Sequence, residues 1–197
     1  MLTKRIIPIL QLNNDELIKS KKFKSHQYVG DPINAVRIFN EIQVDEIILL
    51  DVFNSKKNTD LNYKIIKDIA DECRMPFTYG GGIKNLDQVE NLFSLGVEKI
   101  CLNTSILHDY EIIKKLSKVY GSQSIIISID IYTNSSGEKK LYNWSENKVL
   151  DKNINDHILK SIESGAGEIL INDVDKEGTL EGFDFDILKF INKNMNV

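Results

Sequence analysis

Six short apolar runs, separated by longer amphipathic stretches, restrict this chain to a small set of folds. The runs lie at residues 6–10 (IIPIL), 46–51 (EIILLD), 77–79 (FTY), 99–102 (KICL), 124–130 (SIIISID) and 167–172 (GEILIN). Several are continuous rather than alternating, as strands covered on both faces of a parallel sheet are. Between them, residues 32–43, 63–73, 86–95, 110–120, 156–164 and 184–192 place apolar side chains three or four apart, a helix with one core-facing stripe in each case. Strand–helix alternation with short links predicts an α/β fold with parallel strands. The spacing is that of a TIM (βα)8-type barrel, which has eight units in roughly 250 residues. Here about six βα units are present in 197 residues, read as one incomplete barrel domain over 1–197. With no seventh or eighth strand, the expectation is a barrel truncated at its C-terminus or an open sheet with two bare edges.

A weak internal repeat supports the barrel. Residues 45–52 (DEIILLDV) align with 167–174 (GEILINDV), and nearly the same shift brings 6–11 onto 125–130. Units one and two thus look like relatives of units five and six, as two half-barrels of common descent would. The alignment pairs Gln11 with Asp130.

Composition removes several function classes. Hydrophobic residues make up 42% and charged residues 27%, which excludes disorder, and the net charge of −4 without a basic tract argues against nucleic acid. No apolar run approaches the roughly 18 residues of a membrane span, so a soluble, cytoplasmic protein is expected. Cys73 and Cys101 read as reduced core thiols rather than a disulfide framework. His26, His108 and His157 are scattered, so neither a metal nor another cofactor is expected.

Residues at the C-terminal ends of barrel strands face the active site, and those at the N-terminal ends form the floor. The first set comprises Gln11, Asp51, the loop Gly80-Gly81-Gly82-Ile83, Asn103-Thr104-Ser105, Asp130 and the segment from Asp173 to Thr179. Asp51 and Asp130 close strongly apolar runs, where a carboxylate serves as an acid or base, holds a substrate, or caps a helix. Three consecutive glycines between strand and helix let backbone N–H groups cradle an anion, and Asn103-Thr104-Ser105 adds donors beside them. The alternative is a set of tight turns. The loop around Gly178 is a weaker candidate for a second anion. On the floor, Arg5, Glu46, Lys99 and Glu168 each stand directly before an apolar run. They are either ordinary strand-start charges or a neutral ring that plugs or gates the barrel.

The segments LTKRIIPIL, YVGDPINAVRIFNE, DEIILLDV, PFTYGGGIKNLDQ, GVEKICLNTS, YGSQSIIISID and GAGEILINDVDKEGTLEGFD together resemble the cyclase subunit family of imidazole glycerol phosphate synthase (HisF-like) over the whole chain. The resemblance implies a barrel that takes ammonia from a glutaminase docked on its floor and adds it to a phosphorylated substrate at the opposite end. By the same resemblance Arg5, Glu46, Lys99 and Glu168 are the ammonia gate and Glu98 touches the partner. Gly81, Gly82, Asn103 and Thr104 hold one phosphate, and Gly178 and Thr179 part of the other. Lys19 belongs to a mobile loop over the substrate, Asp51 and Glu177 lie in the substrate site, and Asp130 is one of two catalytic aspartates.

Two departures stand out. Gln11 occupies the position of the other catalytic aspartate and has no carboxylate to exchange a proton, and Glu177 replaces an Asp. An intact gate with an altered site favours a paralogue that channels ammonia to another acceptor. Such HisF-like proteins are associated with amidino sugars of bacterial surface polysaccharides, so the expected ligand is a phosphorylated small molecule or nucleotide sugar. The alternatives are the histidine-pathway cyclase and a non-catalytic, glutaminase-binding remnant. The polar stretch 132–152 reads as a long loop or small hairpin, with Trp144 as its anchor or, alternatively, as a group that stacks on substrate.

Overall fold

A computed structural model describes residues 4–57 and 59–194. Six parallel strands form the frame: β1 (Ile9–Asn13), β4 (Ile47–Asp51), β5 (Phe77–Gly80), β6 (Lys99–Leu102), β7 (Ile125–Thr133) and β10 (Glu168–Asp173). They pair in that order, with Ile9 opposite Ile48, Ile48 opposite Thr78, Thr78 opposite Lys99, Ile100 opposite Ile125 and Ile126 opposite Glu168. This is a TIM-type α/β barrel of six strands, with no pairing of β1 to β10 among the described residues.

Two antiparallel excursions rise from the strand ends. β1 turns into β2 (Glu16–Lys19) and β3 (Gln27–Gly30), and β7 continues into β8 (Lys139–Asn143) and β9 (Lys148–Leu150). The second is the hairpin foreseen within 132–152. The first was read only as a loop. It also explains why β1 sits three residues later than the apolar run at 6–10. Gln11, Leu12 and Asn13 pair with Ile18, Leu17 and Glu16, whereas Pro8 has no N–H for a ladder and serves only as acceptor to Ile48 N–H at 3.0 Å.

The helices α1 (Pro32–Glu41), α3 (Tyr63–Glu72), α4 (Leu86–Ser94), α5 (Glu111–Tyr120), α6 (Ile154–Glu163) and α7 (Phe185–Asn194) cover the outside, with a one-turn α2 (Asn54–Lys57) after β4. Their starts are written in the sequence. Asp31, Asn62, Asn85 and Asn153 each accept a hydrogen bond from a first-turn backbone N–H, and Pro32 fills the first turn of α1.

Strand parity divides the core in two. Ile47, Leu49, Phe77, Tyr79, Ile100, Leu102, Ile125, Ile127 and Ile129 pack against the helices in the main cluster. The opposite parity makes a small interior cluster of Ile48, Cys101 and Ile126, flanked by Ile7, Leu50 and Leu170. Functional groups lie above and below this second layer. Among the described residues no helix is long and apolar enough to cross a membrane.

Candidate functional site

The floor is built by the residues two positions before the interior cluster on each strand, and so of the same parity. Lys99 Nζ donates to Glu46 Oε2 at 2.9 Å and to Glu168 Oε1 at 2.7 Å. Arg5 Nη2 donates to Glu168 Oε2 at 2.8 Å, and Arg5 Nη1 donates to Glu46 Oε1. Each carboxylate oxygen takes one cationic donor, so the four side chains close into a neutral ring. Burial disfavours the Lys99 ammonium, yet its hydrogen bonds to Glu168 and Glu46 outweigh that and hold its pKa above the ordinary value. Glu168 is likewise penalised by burial, but Arg5 and Lys99 pull its pKa down. Hydrogen bonds to Glu168 and then Glu46 raise Arg5 further. Glu98 is exposed next to the ring, its N–H donating to the Phe77 carbonyl at 2.8 Å.

Above the ring lie the small apolar layer and then polar interior groups. Thr78 is buried, and among the described residues its hydroxyl has no hydrogen-bond partner. Ser128 and Asn172, polar residues set in otherwise apolar runs, meet at 3.0 Å, Asn172 Nδ2 donating to Ser128 Oγ. The same Nδ2 donates to Asp130 Oδ1 at 2.9 Å, and Asn103 Nδ2 donates to Asp130 Oδ2 at 2.9 Å. Burial pushes the Asp130 carboxyl up to about 6, and these two neutral amides only partly offset it. A buried acid at that value can give or take a proton near neutral pH.

Asp130 lines a cavity of about 920 Å³ at the mouth, which also contains Gln11, Lys19, Asp51, Gly81, Gly82, Asn103, Thr104, Glu177 and Gly178. The chain therefore gathers nearly all the mouth residues singled out in the sequence. Gln11 Nε2 donates to Glu177 Oε1 at 2.8 Å, and Ser20 Oγ donates to the same oxygen at 2.9 Å. The Glu177 carbonyl accepts from Lys22 N–H at 2.8 Å, so these contacts span the gap between β1 and β10. Sequence reading anticipated neither this bridge nor the two asparagines on Asp130. A polar residue at inward parity in an apolar strand was the available signal for Asn172.

Other residues are more committed to structure. Both Asp51 oxygens accept from Asn54, the backbone N–H at 3.2 Å and the side-chain Nδ2 at 3.4 Å. Burial raises the Asp51 pKa, with those Asn54 bonds working against it. The glycine loop packs tightly on the same segment: a Cβ at Gly81 would lie 2.2 Å from the Asp51 carbonyl, and one at Gly82 2.5 Å from Asn54 Oδ1. Both have positive φ, +110° and +72°, and Gly82 N–H donates to Ser55 Oγ at 3.3 Å. The loop is thus a tight turn packed on the segment after β4. Gly178 packs on the Ser20 carbonyl, where a Cβ would come within 2.0 Å, and Thr179 donates to the Lys176 carbonyl at 2.9 Å. Thr179 is therefore part of its own turn.

The rim is aromatic. Trp144 Nε1 donates to the Val52 carbonyl at 2.9 Å, and its ring meets His26, Phe23 and Phe53 at centroid distances of 5.6, 5.8 and 6.0 Å. Lys56 Nζ lies 3.4 Å from the Trp144 ring centroid. The indole anchors the β8–β9 turn to the segment after β4. Among the described residues no group of three or more His, Cys, Asp or Glu converges as a metal site would.

Comparison with known proteins identifies relatives along the whole chain. A family model described as "Histidine biosynthesis protein" matches residues 5–197. The "Putative imidazole glycerol phosphate synthase subunit hisF2" of Pseudomonas aeruginosa is 42% identical over 100% of this chain and 78% of its own length. A protein of Leptospira borgpetersenii with the corresponding HisF name is also 42% identical, over 97% of this chain and 76% of its own. The "Imidazole glycerol phosphate synthase subunit HisF" of Streptococcus mutans is 31% identical over 97% and 76%.

Proposed function

The chain belongs to the histidine biosynthesis protein family, and from that membership we propose that it is the barrel subunit of a glutamine amidotransferase complex. In this reading it is a cyclase-type enzyme of the imidazole glycerol phosphate synthase kind. It receives ammonia at the floor and adds it to a phosphorylated acceptor at the mouth. The observation that carries the reading is the closed ring of Arg5, Glu46, Lys99 and Glu168 directly beneath an interior that leads to the buried acid Asp130. A glutaminase subunit docks on the floor beside Glu98, and the ring parts to admit ammonia. Because every charge in it is paired, the closed ring leaves no uncompensated carboxylate at the floor.

At the mouth, Gly81, Gly82, Asn103 and Thr104 hold one phosphate, and Gly178 with Thr179 contributes to a second. Lys19, exposed on β2, closes over the acceptor. Asp130 exchanges protons with the reacting atoms. Gln11 has no such capacity, so the acceptor differs from the histidine-pathway substrate, and we take it to be a phosphorylated small molecule or nucleotide sugar on the way to the amidino sugars of surface polysaccharides. The relatives at 36–42% identity support a divergent branch, since several carry the ordinals hisF2 and hisF3 in their names.

The test is turnover of the phosphoribulosyl substrate of the histidine pathway, with ammonium salt replacing the glutaminase. The folded wild-type chain is expected to be inactive, and Gln11→Asp to gain activity by about 10²–10⁴-fold, the usual worth of a positioned acid–base group. Turnover by the wild type would instead assign the protein to histidine synthesis.

A further inference from the structure

Both oxygens of the Asp130 carboxylate accept from amide N–H groups, Oδ1 from Asn172 Nδ2 and Oδ2 from Asn103 Nδ2, each at 2.9 Å. That arrangement suits the ionised form alone, since a carboxylate only accepts. The acid form carries one O–H that needs an acceptor, and a buried O–H aimed at an N–H leaves both unpaired, at a cost in free energy. Yet Asp130 is 5% exposed, and burial, only partly offset by the two amides, pushes its carboxyl up to about 6. Both protonation states are therefore populated near neutral pH, and the hydrogen bonds that suit them differ. The titratable groups that feel the Asp130 charge are Cys101 on β6 and Tyr142 on β8. Burial pushes the thiol up to about 12 and raises the phenol, so neither competes for the proton in that range.

Asn172 is the neighbour equipped to serve both states. Its Nδ2 touches two oxygens, Asp130 Oδ1 at 2.9 Å and Ser128 Oγ at 3.0 Å. Ser128 is 4% exposed, and a hydroxyl accepts or donates according to how it rotates. A half-turn of the Asn172 amide exchanges nitrogen and oxygen with almost no change of shape. Its oxygen then accepts from the Asp130 O–H and from the Ser128 O–H, and both buried partners stay paired. Asn172 is only part-buried and lines the mouth cavity, so the turn is not made inside a closed core. We propose that Asn172 is a positioning residue for proton exchange at Asp130, its amide presenting N–H to the carboxylate and turning over to present oxygen to the acid, with the Ser128 hydroxyl reversing alongside. The proton moves between Asp130 Oδ1 and the reacting atoms, and no covalent bond of Asn172 or of Ser128 is made or broken. That the exchange is with reacting atoms rests on the function proposed above. The pair also gives a use to two polar residues set in otherwise apolar strands.

The test follows the full-length, 13C- and 15N-labelled chain by NMR from about pH 4 to about pH 8, a range that brackets the Asp130 value. The Asp130 carboxyl carbon, assigned by its loss in Asp130→Asn, reports the midpoint. Above that midpoint the Asn172 side-chain amide protons are expected to show a strong nuclear Overhauser contact to the Ser128 β-protons. Below it the contact should weaken severalfold, with the same midpoint, and in Asp130→Asn it should not depend on pH. Asn172→Leu, which keeps the volume but has neither N–H nor oxygen, should raise the proton affinity of Asp130 about threefold, because the charged form loses the stronger bond. Amide spectra unchanged away from the mouth show that this variant is folded, and if it is not, the wild-type contact decides. A contact that persists unchanged through the midpoint, an Asp130 that does not titrate in this range, or an unchanged midpoint in folded Asn172→Leu would each overturn the proposal. Turnover of the phosphoribulosyl substrate by the wild type would overturn the acceptor reading and leave the amide result standing, so the two failures are separate.

Discussion

The floor and the mouth of this barrel use the same chemical group, the carboxylate, to opposite effect. On the floor Glu46 and Glu168 meet Lys99 and Arg5, and every carboxylate oxygen has a cationic donor. At the mouth the hydrogen-bond partners of Asp130 among the described residues are the neutral amides of Asn103 and Asn172. Burial penalises the charged form in both places. Cationic partners overturn that penalty for Glu168 and lower its pKa, while amides do not, and Asp130 rises to about 6. Partners and depth act together: Glu168 is partly exposed and meets cations, whereas Asp130 is buried and meets only weakly compensating amides, so the first stays a fixed structural charge and the second is a titrating acid.

The sharpest way to break this comparison is through pH. Asp130 keeps a proton in the folded state that the unfolded chain has already lost, so stability falls as pH rises from about 4 to about 6, by up to about 3 kcal/mol. Glu168 has the opposite sign, contributing stability above its unfolded pKa that disappears as pH falls through its lower folded value. Urea unfolding of wild type and Asp130→Asn across pH 4–7 isolates the first effect. Equal pH slopes in the two proteins would mean that Asp130 does not titrate in this window.

Next in size is the floor itself. Lys99→Met removes a donor from both glutamates and leaves Glu46, with a side chain only 7% exposed, facing one cation instead of two. A loss of about 2 kcal/mol is expected in denaturant unfolding, less than for a fully buried pair because Arg5 is 41% exposed and screened. A neutral result would reduce the ring to a set of surface charges.

The smallest effect concerns the rim. Trp144→Phe keeps the ring contacts but loses the N–H donated to the Val52 carbonyl, at an expected cost of about 1 kcal/mol. Because Trp144 is the single tryptophan, its emission in the wild type also reports whether the rim opens when ligand binds. An unperturbed stability in Trp144→Phe would show that stacking alone holds the β8–β9 turn.

Much of the frame was legible. All six parallel strands and the helices between them lie within a few residues of the positions read from apolar runs and spacing, because a strand buried on both faces and a helix buried on one leave different periodicities. The hairpin after β1 was not legible. Its strands are short, and β3 is mostly exposed, so neither composition nor alternation distinguishes it from a loop. The mouth residues were named as a set, since the rule that strand ends face the site needs only strand positions. Their partners were not named. Gln11 and Glu177 are 166 residues apart, and Asn103 and Asn172 reach Asp130 from different strands.

The sequence by itself determined the strand and helix order, the helix caps and the placing of four charges at one level of the barrel, because these follow from local period and from one residue's position in its own strand. Tertiary structure decided which charge meets which. It made the four floor residues a closed ring, gave Asp130 amides instead of cations, and set the Gln11 amide nitrogen against Glu177. Hydrogen bonds are short and directional, so their partners are settled only when distant strands come into register.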